Sequence, residues 1–277
     1  MNQILVRTWQ LLRQNRILLG PVAIEALIIL FFSGGVGLFG GNPISTMAFF
    51  FLRQALLGGW LYQMKIVLLE RSTPASWDDF FEGVARYFWP MLAGASMFFL
   101  LLMLILSICS LVAEAWLGPL DMNFLEKLGT HLQSGFDPVK LQAFLEPHQA
   151  AVSLVYQWSL VFMGGAMILM VIAALTSFWQ QYCVMGNSNW LAAWKNSKDL
   201  ILKHPGQISY LGLLWFLPTV ILQLMLVMGH PVLQVLAFGL DFLLKAYFTL
   251  LFTHAILLLD PDKVAPLSQE TKPEGTP

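Results

Sequence analysis

The sequence predicts an all-α, polytopic membrane protein with six transmembrane helices, built as three repeats of an interfacial amphipathic helix followed by a helical hairpin. Three observations carry this expectation. Hydrophobic residues make up 57% of the chain and charged residues only 11%, with a mean hydropathy of +0.69. Soluble domains carry about 25% charge. Next, runs of about 20 largely apolar residues, enough to cross a hydrocarbon core roughly 30 Å thick, occur six times. Finally, a Trp-bearing amphipathic stretch recurs three times: ILVRTWQLLRQNR with Trp9, SWDDFFEGVARYF with Trp77 and NWLAAWKNSKDLILK with Trp194. A proline (Pro21, Pro90, Pro205) follows each near the start of an apolar run.

The spans are expected at about 17–39, 44–69, 88–113, 151–178, 207–228 and 232–259. Helix is the expected state because lipid offers the backbone no hydrogen-bond partners. The N-terminal basic and apolar stretch shows no small-x-small cleavage site, so the first span is expected to be retained. Short outer turns are expected at Gly41-Asn42-Pro43 and Gly229-His230-Pro231. The middle hairpin carries an insertion at 114–150, read as an outer helical cap. Leu125, Leu128 and Leu132 recur at helical spacing, and Asp137-Pro138 reads as a cap opening a second short helix. The integral membrane domain therefore covers 1–260. The Pro-rich polar tail, 261–277, lacks a foldable apolar face and is expected to be disordered.

Orientation follows the basic residues. Of fifteen, eleven from Arg7 to Lys272, Lys65 among them, fall on one side, Lys127 and Lys140 fall on the other, and Arg53 and Lys245 lie within spans. Both termini are thus expected in the cytoplasm. Trp9, Trp77 and Trp194 are read as interfacial anchors of the amphipathic helices. These helices either bind anionic lipid or simply anchor each hairpin. The acidic middle copy, with Asp78, Asp79 and Glu82, favours anchoring. Ser76 and Asp79 resemble a capping box.

Ionisable groups inside spans are costly and mark functional candidates. Glu25 and Arg53 enter their spans from opposite faces to depths of about 12 and 13 Å at helical rise, so they are expected to pair. Asp241 and Lys245, four apart on one helical face, are expected to pair with each other. Two readings remain open: these groups line a polar path, or they hold helices in register. Gly37-x-x-x-Gly41, Gly58-Gly59 and Gly164-Gly165 suit close helix contacts.

No motif for a catalytic nucleophile, a phosphate loop, a zinc site or a dinucleotide is present. No two of the five histidines sit at ligand spacing in one helix, and His254 is read as a hydrogen-bonded helix–helix contact. Cys109 and Cys183, expected at opposite membrane faces, are not expected to bridge. The expectation is no enzyme, no cofactor and no metal. The net charge of −1 argues against nucleic acid as a partner.

The three segments LVRTWQLLRQNR, SWDDFFEGVARYF and WLAAWKNSKDLI, each ahead of a hairpin, resemble a group of bacterial six-span membrane proteins. The group includes the YciC-like proteins and the membrane domain fused to some glycerophosphodiester phosphodiesterases. The likeness extends to about residue 260, while the insertion at 114–150 departs from it and no phosphodiesterase domain follows. The resemblance implies a bacterial inner-membrane location and supplies no catalytic residues. The leading functional expectation is a non-enzymatic component that binds membrane lipid in envelope homeostasis. The alternative is a transporter or channel using Glu25, Arg53, Asp241 and Lys245. A scaffold for another membrane protein is the third reading.

Overall fold

The computed structural model describes residues 2–33, 43–70, 74–133, 138–228 and 230–267. The described residues form eleven α-helices joined by short turns and no strand. They are α1 (Asn2–Gln14), α2 (Gly20–Ser33), α3 (Pro43–Leu69), α4 (Trp77–Leu117), α5 (Met122–Gln133), α6 (Pro138–Leu145), α7 (Gln149–Leu175), α8 (Trp179–Met185), α9 (Trp190–Lys203), α10 (Pro205–Val227) and α11 (Pro231–Leu259). Gly37, Gly41, Asn42, Arg71, Asp137, Gly229 and residues 268–277 lie outside the described residues.

Four stretches among the described residues are helical, long and apolar enough to cross a membrane: Trp77–Leu117, Val139–Met185, Pro205–Val227 and Val232–Leu259. Only 6% of the most apolar window is buried by protein in each of the first two, against 44% in the last. Apolar surface of that extent is not stable in water. These helices therefore belong to a membrane protein, with side chains such as Leu111, Met170, Leu213 and Val235 turned outward.

The chain divides into two compact units, Met1–Ala95 with Leu175–Pro277, and Ser96–Ala174. In the first, α11 is the central helix and packs on α1, α2, α3, α8 and α10. The core combines Trp60, Leu61, Met64 and Val67 of α3 with Tyr182–Met185 of α8 and Ala246, Leu250 and Ile256 of α11. Small residues let α3 approach α4: a Cβ on Gly59 would sit 2.6 Å from the Phe80 carbonyl oxygen, and one on Gly83 would lie 3.0 Å from the Gly59 Cα. Gly164 has nothing within 4 Å of a built Cβ, so of the second glycine pair only Gly165 makes a contact, against Cys109.

The three amphipathic segments differ in how they join the helices that follow. The first is set off by Asn15 and a 3-10 turn, Arg16–Leu19; the third ends at His204, with Pro205 opening α10. The second is no separate elbow, because α4 runs unbroken through Pro90 to Leu117. A proline removes one intrahelical hydrogen bond, and helix packing in membrane proteins tolerates that loss. The Ser76–Asp79 box forms at the start of α4: Asp79 N donates to Ser76 Oγ at 3.2 Å and Ser76 N to Asp79 Oδ2 at 2.7 Å. Each segment also buries a small or polar residue: Thr8, Gly83, and Ala193 with Ser197. Ser197 Oγ accepts from Phe178 N and donates to Leu175 O, each at 3.0 Å, stitching the break between α7 and α8.

The second unit contains the insertion, whose two short helices α5 and α6 lie within the region expected as a cap. Asp121 Oδ1 caps α5 by accepting from Asn123 N and Phe124 N. The rings of Phe124 and Phe144 stack 5.6 Å apart at 9°, and His148 and His131 lie against Phe144. Gly118, at φ +88, ends α4, and its carbonyl accepts from Trp158 Nε1 at 3.2 Å.

The expectation of disorder from residue 261 is corrected for 261–267. Tyr182 Oη donates to Asp260 Oδ2 at 2.8 Å, Ala265 N donates to Met185 O at 2.9 Å, and Val264 and Leu267 pack on the core. Two apolar side chains three apart give this proline-rich stretch enough contact to dock.

Candidate functional site

Glu25 belongs to the inner face of α2. Leu18, Pro21, Val22 and Glu25 recur at helical spacing and are all buried, so the carboxylate is carried inward with its apolar neighbours. Arg53 sits on α3 one residue before the buried Gln54, and with Leu57 and Trp60 it forms a stripe at i, i+4 and i+7. Lys245 and Thr249 are one turn apart on α11, where Thr249 Oγ1 donates to Lys245 O at 2.8 Å. The first turn of α8 supplies Gln180 and Gln181. These groups, with Pro21 and Leu56, line a cleft of about 180 Å³.

Glu25 receives both cations of the cleft. Arg53 Nε lies 3.4 Å from Glu25 Oε1, and Lys245 Nζ donates to Glu25 Oε2. The Glu25 side chain is 11% exposed, that of Lys245 35% and that of Arg53 58%, so the cleft opens on the Arg53 side. Two cations on one carboxylate leave a formal charge of +1. Trp60 Nε1 donates to Leu18 O at 2.8 Å, fixing the indole that forms one wall. Gln181 is buried and its Oε1 has no hydrogen-bond partner. An acceptor left so costs about 1–3 kcal/mol.

Three of the four intramembrane candidates thus come together, and Asp241 does not. It is exposed, one turn from Lys245, and makes no ion pair among the described residues. The expected Asp241–Lys245 pair is therefore replaced by Lys245–Glu25. An exposed i,i+4 pair is worth only a few tenths of a kcal/mol, and a buried carboxylate on a neighbouring helix outcompetes it.

The tryptophans take different roles. Trp9 is half-exposed and meets Tyr247 edge-on at 6.1 Å, while Tyr247 Oη donates to Leu5 O and so holds α1 on α11. Trp77 is also partly exposed, with its ring over Gly20, where a Cβ would come within 2.7 Å. Trp194 packs on the core and meets Trp190 edge-on at 5.5 Å.

A second set of polar groups went largely unread in the sequence, the helix–helix contact of His254 excepted. Lys65, counted there among the basic residues of one side, is fully buried and donates to Val184 O at 2.9 Å. That carbonyl lies in the last turn of α8, where helix ends favour cations. Gln63 Nε2 donates to Ser76 O at 2.7 Å, and Thr8 Oγ1 lies 3.0 Å from His254 Nδ1, tying α1 to α11. Apolar neighbours Met64, Ile66 and Val67 were the available signal that Lys65 points inward. Cys109 and Cys183 are both free and buried. No group of His, Cys, Asp and Glu suited to a metal ion occurs among the described residues.

Comparison with protein-family models, with curated proteins and with solved structures returns no match, so the cleft's own chemistry carries the functional reading.

Proposed function

We propose that this chain is a non-enzymatic, six-span membrane protein that binds an anionic lipid, with the head-group phosphate held at the Arg53–Lys245–Glu25 cleft. The observation that carries the reading is the excess of cation over anion in a cleft open on the Arg53 side. A guanidinium suits phosphate geometry. The cleft is smaller than the roughly 300–1,000 Å³ pockets that enclose drug-sized ligands, which suits a head group whose acyl chains stay outside.

Several finer features accompany this reading. The pairing of α2 with α3 and of α10 with α11 supports two hairpins, and the Trp-bearing stretches of α1, α4 and α9 support descent by triplication. The bias of basic residues supports cytoplasmic termini in a bacterial inner membrane. Transport of a small solute or ion is the second reading, favoured by three charged groups meeting between largely apolar helices.

Native mass spectrometry of protein released with its surrounding membrane tests the first reading. The wild type should retain a phospholipid, and Arg53→Gln should lower its occupancy about five-fold. Equal occupancy in both would overturn lipid binding at this cleft. Solute flux in liposomes that depends on Glu25 would favour transport instead.

A further inference from the structure

The cleft holds more than charge. Among the described residues three glutamines, Gln54, Gln63 and Gln181, keep a buried side-chain oxygen without a hydrogen-bond partner. Of these only Gln181 lines the cleft, beside Glu25, Arg53 and Lys245. It is 8% exposed. A buried amide oxygen accepts and cannot donate, so it calls for a ligand that brings an O–H or N–H. The cleft therefore offers an anion site at Arg53 and Lys245, and one of its lining residues, Gln181, carries a buried amide oxygen that still lacks a donor.

Charge decides which donor. With Arg53, Lys245 and Glu25 ionised the cleft carries a formal +1, which a monoanion neutralises. A zwitterion would leave that charge in place and bring an ammonium toward two cations. A neutral hydroxyl meets the acceptor without this repulsion. The volume of about 180 Å³ holds about six waters at ~30 Å³ each, enough for a phosphate and a short polyol.

We infer that the cleft selects a phosphodiester whose alcohol carries a free hydroxyl, with phosphate oxygens at Arg53 and Lys245 and the hydroxyl donating to Gln181 Oε1. This rests on the lipid-binding reading above and specifies its head group. The same chemistry is found in a glycerol-type phospholipid and in a soluble glycerol phosphoester, and the two are separable by competition.

The test measures lipid retained by the full chain in nanodiscs doped with either phosphatidylglycerol or phosphatidylmethanol. Both carry one negative charge, and only the first has hydroxyls. The wild type should prefer phosphatidylglycerol at least five-fold. Gln181→Met should abolish the preference while keeping phosphatidylmethanol binding, and Arg53→Gln should weaken both lipids. Equal wild-type retention of the two lipids, both lowered by Arg53→Gln, would overturn the hydroxyl inference and leave anionic-lipid binding standing. No effect of Arg53→Gln on either lipid would overturn both. Displacement of the lipid by millimolar soluble glycerophosphoglycerol would keep the head-group chemistry and overturn a lipid as its source. Because the wild-type comparison needs no variant, the inference remains testable even if Gln181→Met fails to fold.

Discussion

Removing the charge of Glu25 should destabilise the first unit, chiefly through Lys245. In Glu25→Gln the amide keeps the shape of the side chain and leaves two cations without their carboxylate. The Arg53 side chain is 58% exposed, so its share is that of a screened surface pair, about 0.2–1 kcal/mol. Lys245 is less open, at 35%, and donates directly to a carboxylate that is 11% exposed. A hydrogen bond to a charged group is worth about 1.5–3 kcal/mol, and partial exposure places this one near the lower end. Together the loss is about 2 kcal/mol. At roughly 2–4 °C per kcal/mol for a chain of a few hundred residues, the Tm in detergent should fall by about 4–8 °C. Intrinsic fluorescence from the ten tryptophans provides the readout. Arg53→Gln should cost less than Lys245→Met. In a double-mutant cycle, Glu25→Gln with Lys245→Met should cost about 1 kcal/mol less than the sum of the singles. A Tm within about 1 °C of wild type for Glu25→Gln, or strict additivity in the cycle, would refute this account of the cleft.

Two further outcomes follow from packing and from the docked tail. Gly59→Ala would drive a Cβ to 2.6 Å from the Phe80 carbonyl oxygen and should cost about 1–3 kcal/mol, as overpacking does. Gly212→Ala in α10, with nothing within 4 Å, should be neutral or raise the Tm slightly, since alanine favours helix. Equal melting of these two variants would contradict the close α3–α4 contact. Tyr182→Phe should cost about 1–3 kcal/mol by stranding the buried Asp260 carboxylate, and proteolysis after residue 260 should then accelerate. An unaltered cleavage rate and Tm would argue against the docked segment 261–267.

What was legible in the sequence is what lipid dictates locally. Apolar runs announce helices α4, α7, α10 and α11 because a spanning segment has to satisfy its own backbone and present greasy side chains. The Ser76–Asp79 cap and the two short helices of the insertion were readable for the same reason, since capping and spacing act within one turn. The Glu25–Arg53 approach was reachable from depth along adjoining helices. Lys245 was assigned to Asp241 because spacing sees only its own helix, whereas its partner lies 220 residues away. Lys65 and Gln181 were missed for a related reason: polar residues near the end of an apolar run read as headgroup contacts. Only packing against α8 for the one, and against α2, α3 and α11 for the other, turns them inward. The tail was misread because Val264 and Leu267 form no periodic face of their own and gain contact only from a surface already folded.

The polar groups of the first unit fall into two kinds. Lys65 on Val184 O, Tyr182 on Asp260 and Thr8 with His254 are buried contacts that close helix ends or tie α1 and residue 260 to the core. They are what a low-dielectric interior requires of any polar group it retains. The cleft is unlike them in having cations in excess and a guanidinium largely open. Its position explains how this is tolerated. Along α3 the residues from Ala48 through Arg53 are exposed or half-buried and those from Gln54 to Leu68 are largely buried; along α11 the same change comes after Lys245. Deeper in the core, unmatched charge would be prohibitive, and out on the apolar face it would have no carboxylate to orient it. At the edge of packing, Glu25 fixes both cations while the Arg53 side stays accessible. That combination is the requirement for holding an anion that arrives from outside the protein.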